Sequence, residues 1–278
     1  MANRQIKLPG GRKIGVSGSG DPAAARLVVF CHPTPGAGGF DPNPIITARW
    51  GVHMLGLDRP GYGASDPLGP GEHASFAARA DDIATFITSS ERSAQSLART
   101  HFGQIGVVGW QTGGLTALAL AARHPGLVDR IALIDTPAPP YPPLEGGPPF
   151  TLDYLGVSDD EALMRPGLQN RLERMLVAAA LQGDTGFHTD QTAMSDDTEL
   201  NALADVTPST KLIYGEGHPL VPAADALWFQ DRLPNATIVR VRDGRSHSIV
   251  TQWERILAHV APHQTPAGSK ADTDRAFE

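Results

Sequence analysis

The sequence predicts an α/β architecture, a mostly parallel central sheet with helices on both faces. Two observations carry this. Short continuous apolar runs, such as 27–31 and 105–109, read as strands buried on both faces. These runs alternate along the chain with segments whose apolar residues recur every three or four positions. Taken in order, 5–8 and 13–16 alternate polar and apolar residues around Pro9-Gly10-Gly11 and read as a hairpin. The run 27–31 ends in His32-Pro33-Thr34-Pro35-Gly36. The next, 52–57, ends in Asp58-Arg59-Pro60-Gly61-Tyr62-Gly63, a loop rich in turn formers. From about 75 to 97, Phe76, Ala80, Ile83, Phe86 and Ile87 fall at helical spacing. The strand at 105–109 leads directly into a helix with Leu115, Leu118, Ala119 and Ala122 on one face, closed by His124-Pro125-Gly126. Further strands are expected at 131–135, 211–215 and 237–241.

One segment breaks the alternation. It opens with a Pro-rich linker (Pro137, Pro139, Pro140, Pro142, Pro143) and continues into helical stretches near 160–164 and 170–181. An insertion of this size is too long for a loop and reads as a helical lid. The expected organisation is a core of residues 1–135, a lid of 136–209, the rest of the core at 210–262, and a disordered polar tail at 263–278. No internal repeat is visible.

Composition narrows the function. The chain has 278 residues, with 23 Lys and Arg against 30 Asp and Glu, a net charge of −7. No basic run is present, which argues against nucleic acid and against anionic membranes as partners. A 41% hydrophobic content excludes a disordered chain. The single cysteine, Cys31, excludes an internal disulfide framework and a Cys-rich zinc site. The first seven residues have no apolar stretch behind their charges, so no secretory signal is expected. The longest mainly apolar run, 115–122, is far too short to span a bilayer. These features suit a cytoplasmic protein, a monomer or homodimer, that binds a small apolar molecule. The histidines outside the motifs below show no metal-ligand spacing, so neither metal nor cofactor is expected.

The informative motif is Gly109-Trp110-Gln111-Thr112-Gly113-Gly114, where a buried strand turns sharply into a helix. Small neighbours let strand and helix approach closely, and the central side chain is presented at the sheet's carboxyl edge. With three other motifs in order, the chain resembles the α/β-hydrolase-fold superfamily over about residues 4–262. His32-Pro33-Thr34-Pro35-Gly36 resembles the family's His-Gly-x-Pro-Gly oxyanion loop. The stretch from Asp58 through Pro67 resembles its next loop. Gly244-Arg245-Ser246-His247 resembles the Gly-x-x-His loop that carries the catalytic histidine.

The departures matter as much. The family's nucleophile position holds Gln111, whose amide has no usable nucleophilic lone pair. The family's usual acid follows strand 211–215 in a Tyr-Gly-x-x-Asp pattern, and here His218 stands there. Of the three triad positions only His247 is retained, as the proton shuttle. Asp135 occupies an alternative acid position; it either orients His247 or caps the turn into Thr136-Pro137. Glu216 is a further candidate acid. The resemblance implies an oxyanion pair from the backbone N–H groups of Thr34 and Thr112, which need no serine. His32 and His218 join Thr34, Thr112 and Trp110 as candidate oxyanion- or substrate-binding residues; His32 is expected to hold its loop rather than react, and His218 either sits beside His247 or faces solvent. Trp110 either lines the pocket or packs beneath it. Tyr141, Phe150, Tyr154, Leu155, Met175 and Leu176 either roof the pocket or form the lid's own core.

Three functions compete. The first is non-hydrolytic acid/base chemistry by Gln111, His247 and Asp135 on a small apolar carbonyl or phenolic substrate. The resemblance extends this to carbon–carbon bond formation or cleavage, cyclisation and isomerisation, as in natural-product pathways. The second is a ligand-binding pseudoenzyme. The third is a hydrolase in which His247 activates water.

Overall fold

The computed structural model describes residues 4–96, 104–141, 150–157, 161–242 and 247–262. Its strands are β1 (Arg4–Lys7), β2 (Lys13–Gly20), β3 (Leu27–Cys31), β4 (His53–Leu57), β5 (Ile105–Trp110), β6 (Val128–Ile134), β7 (Ser209–Gly215) and β8 (Ala236–Val241). They form one 8-stranded sheet in the order β1-β2-β4-β3-β5-β6-β7-β8. From β4 to β8 all neighbours pair in parallel. The first hairpin adds β2 antiparallel to β4 and β1 antiparallel to β2.

The central strands are apolar because both sheet faces are covered. Every residue of β3 and β5 is buried. Successive side chains point to opposite faces. Thus Val29 and Val107 join one core, with α2 (Phe76–Ser96) and α3 (Gly113–Arg123). Val28, Phe30, Val108 and Trp110 join the other, which is closed by α8 (Trp253–Val260) and the flank of α1 (Pro44–Trp50). Among the described residues no helix is long and apolar enough to cross a membrane.

Between β6 and β7 the chain makes a helical excursion. It contains a 3-10 turn at Glu161–Met164, α4 (Leu168–Ala179), α5 (Thr185–Met194) and a 3-10 stretch at Asp197–Asp205. In α4 the buried residues are Leu168, Leu172, Met175, Leu176 and Ala179, a stripe at helical spacing that extends the second core. The remaining short helices are α6 (Asp225–Gln230) and α7 (Ser248–Thr251). The expected strand at 131–135 runs instead from Val128 to Ile134; Asp135 leaves it with a φ of 47°. Pro142, Pro143 and the tail expected at 263–278 lie outside the described residues.

Candidate active site

The carboxyl ends of the parallel strands line up along one edge of the sheet. Each delivers one residue of interest: Thr34 beyond β3, Arg59 beyond β4, Gln111 beyond β5, Asp135 beyond β6, His218 beyond β7 and His247 beyond β8. Ligands of open α/β sheets bind at this edge.

The turn between β5 and α3 has little room. A Cβ on Gly109 would lie 2.4 Å from the Cα of Gly114, and one on Gly113 would lie 2.1 Å from the Cys31 carbonyl oxygen. Gln111 is held between them at a φ of 48°, a left-handed conformation that costs a non-glycine residue free energy. Its backbone N–H donates to the Ile134 carbonyl at 2.8 Å, tying the turn to the end of β6. Its side chain is buried, and the amide nitrogen donates to the carbonyl oxygen of Leu155 at 3.2 Å. The inserted segment therefore rests directly on the elbow.

Beside the elbow, the Thr112 hydroxyl donates to Thr34 Oγ1 at 2.8 Å, and the Thr34 hydroxyl donates to Asp190 on α5. Asp190 in turn meets Arg59 at 2.6 Å and Arg79 at 2.8 Å, and accepts from the Tyr62 hydroxyl at 3.0 Å. All six side chains are buried. Burial alone would push the Asp190 carboxyl up; the Arg59 and Arg79 charges outweigh it and hold it at about 2. Two guanidiniums share this carboxylate behind the loop at 32–36. Arg59 also donates to the carbonyls of His32 and Pro33.

His32 is a structural member of this loop. It takes a hydrogen bond from the Arg59 backbone N–H at 3.2 Å and packs edge-on to Tyr62. Burial and the Arg59 charge hold its imidazole well below the usual range, so it is neutral. Trp110 is fully buried and stacked on Phe40 with ring centroids 5.4 Å apart, beneath the edge. Leu155, Met175 and Leu176 join the same core. Tyr154 is half-buried against Phe187.

Asp135 is fully buried. It accepts the Gly215 backbone N–H at 2.8 Å and a hydrogen bond from the Ser248 hydroxyl. Burial pushes its carboxyl up to about 7 despite these donors. Because the folded-state value is raised, protonated Asp135 favours the fold fully below the unfolded value of about 4. That contribution is lost as pH rises through 7. Asp135→Asn keeps the acceptor and cannot ionise; Asn also tolerates the positive φ. It is expected to flatten the fall in melting temperature between pH 5 and pH 9, as followed by circular dichroism; an unchanged slope would refute the assignment.

His247 is buried immediately before α7. His218 is also buried, and its Nδ1 accepts the backbone N–H groups of Leu220 at 3.1 Å and Val221 at 3.0 Å. Burial, with the neighbouring charge of His247 when protonated, pushes it down to about 4. Glu216 is exposed at the edge of this turn. Among the described residues no group of three or more His, Cys, Asp or Glu side chains could hold a metal ion.

Sequence reasoning missed Asp190, Arg79 and Ser248 as neighbours of the site. Arg59 and Tyr62 appeared only as parts of a turn-rich loop. Nothing local in the sequence marks any of them as buried.

Residues 26–163 match the family model for the alpha/beta hydrolase fold. A pimeloyl-[acyl-carrier protein] methyl ester esterase from Aromatoleum aromaticum is 30% identical over 161 residues, covering 49% of this chain and 64% of its own length. The chain therefore spans less than two thirds of that relative. Solved structures agree in fold. A thermophilic esterase from Thermogutta terrifontis superposes with a TM-score of 0.69 at 18% identity, over 92% of this chain and 95% of its own. A bromoperoxidase from Bacillus anthracis gives 0.67 at 17%, over 92% and 98%. An enol-lactonase from Burkholderia xenovorans gives 0.64 at 14%, over 91% and 96%. The sheet order, the strained turn after β5 and these matches agree: the chain has the α/β-hydrolase fold.

Proposed function

We propose that the chain is an α/β-hydrolase-fold enzyme that works by acid/base chemistry without a covalent intermediate. The observation that carries this is Gln111. It occupies the strained turn that presents a nucleophile in this fold, and a carboxamide cannot serve as one. The chemistry that fits is proton transfer beside a carbonyl or phenol, leading to carbon–carbon bond formation or cleavage, cyclisation or isomerisation. His247 moves the proton. The backbone N–H groups of Thr34 and Thr112 hold the developing oxyanion. The Gln111 amide exchanges its hydrogen bond to Leu155 for one to the substrate. The substrate is a small apolar carbonyl or phenolic compound, since apolar cap residues flank the edge.

A second reading is a hydrolase in which His247 activates water, with Gln111 positioning it. The 30% identity to an esterase favours it. Turnover of a panel of activated aryl esters by wild type and His247→Ala, with intact-mass spectrometry, separates the two. The expected result is no His247-dependent ester turnover and no acyl adduct. His247-dependent turnover without an adduct transfers the assignment to water activation. An acylated wild-type protein overturns both.

A further inference from the structure

His218 stands where this fold ordinarily carries a carboxylate, and its hydrogen bonds define its chemical form. Two backbone N–H groups, from Leu220 and Val221, point at Nδ1. An imidazole nitrogen that accepts has no proton on it, so the neutral ring carries its hydrogen on Nε2. Adding a second proton would place Nδ1–H against both donors. The downward displacement of its pKa by burial agrees with this.

The Nε2 end is the feature that structure alone does not explain. The residue is 8% exposed, and Nε2 is buried with no hydrogen-bond partner among the described residues. A buried donor left unsatisfied is costly and calls for a partner. The turn at 218–221 needs only Nδ1; it gives no reason for the rest of the ring. Gly156 of the inserted segment packs over Pro219, the residue after His218, and the adjoining Leu155 carbonyl accepts from Gln111, so the same two-residue stretch touches both the 218–221 turn and the elbow.

The charged groups at the other strand ends have partners of their own. Arg59 and Arg79 both meet Asp190. Asp135 accepts the Gly215 backbone N–H through Oδ1, and its Oδ2 is buried without a hydrogen-bond partner among the described residues. His247 is the titratable neighbour on the β8 side.

We propose that His218, fixed as the neutral Nε2–H tautomer, donates a hydrogen bond to an anionic oxygen of an enolate- or phenolate-forming substrate. The usual acid acts through the catalytic histidine; His218 instead touches the substrate. This rests on the acid/base reading above and specifies its ligand chemistry.

The test uses 4-nitrophenol, whose ionised form is visible by absorbance, with the full chain. Wild type is expected to bind the phenolate in preference to the phenol, lowering the dye's apparent pKa. His218→Gln places an amide N–H near the Nε2 position and is expected to retain affinity within about threefold. His218→Phe is expected to weaken phenolate binding by roughly tenfold or more. Nitrogen-15 NMR of the unaltered protein at neutral pH is expected to show the proton on Nε2 alone, and it decides the matter if a variant fails to fold. The proposal is overturned if wild type shows no preference for the phenolate. It is equally overturned if His218→Gln loses as much as His218→Phe, or if Nδ1 carries a proton at neutral pH. None of these readouts involves turnover, so their failure is distinct from failure in the ester panel.

Discussion

Replacing Asp190 with alanine is expected to destabilise the fold by about 3–5 kcal/mol, the cost of leaving a buried charge without its partner. Arg59 and Arg79 are 5% and 3% exposed, and Asp190 is the carboxylate both of them meet. A guanidinium cannot escape by deprotonating. Each has other contacts: Arg59 to the His32 and Pro33 carbonyls, Arg79 to the Thr189 carbonyl and over the Phe76 ring. Those contacts are with neutral groups and do not replace the carboxylate's charge. The Tyr62 and Thr34 hydroxyls also lose an acceptor. Asp190→Asn keeps the shape and one acceptor oxygen, and is expected to fall between alanine and wild type. The folded-state carboxyl sits at about 2, below its unfolded value, so its contribution is present above about pH 4. It is lost as pH falls toward 2. Urea denaturation at pH 7 and at pH 3 checks both statements. A loss below roughly 1 kcal/mol for alanine at pH 7 would show that the cluster is compensated by solvent, as an exposed pair is.

The same cluster shows where sequence reading ends. The runs that became β3, β4, β5 and β7 were legible because a strand covered on both faces is apolar along nearly its whole length and each run ends in a loop of turn formers. The elbow was legible because three glycines around one position answer to a steric demand that the structure shows directly. Helix α5 was not. Its sequence, Thr-Gly-Phe-His-Thr-Asp-Gln-Thr-Ala-Met, is rich in residues with weak helix propensity. Its buried face includes Asp190, so no apolar stripe advertises it. Burial of that carboxylate depends on Arg59, 131 residues away, and a charge is read as surface until its partner is known. The role of Asp135 was divided for a similar reason: orienting His247 and capping the turn make the same local demand. The carboxylate's hydrogen bonds to Gly215 and Ser248 tie it to the ends of β7 and the start of α7. His218 was legible as an oddity in its motif. Its tautomer required knowing where the Leu220 and Val221 amides point.

Restoring a serine at the elbow, Gln111→Ser, is expected to turn the site into a self-acylating one. Wild type and variant would share the backbone that binds an oxyanion, because the turn is set by Gly109, Gly113 and Gly114 rather than by the side chain at 111. Serine is also smaller than glutamine, so the Leu155 carbonyl no longer has a partner there and the segment above gains room. With an activated aryl ester, the serine Oγ attacks the carbonyl carbon, His247 takes its proton, and the phenoxide leaves. Intact-mass spectrometry is expected to find one acyl group per chain in the variant and none in wild type. A positioned general base contributes about 10²–10⁴-fold, so Gln111→Ser combined with His247→Ala should acylate slower by that factor. Deacylation is expected to lag, because Asp135, held at about 7 by burial, supports an imidazolium poorly at neutral pH. Equal acylation rates with and without His247 would remove that histidine as the proton carrier and the acid/base reading with it. Rapid His247-dependent acylation would mean that the machinery of the fold survives here intact, and that one residue, Gln111, separates this chain from covalent catalysis.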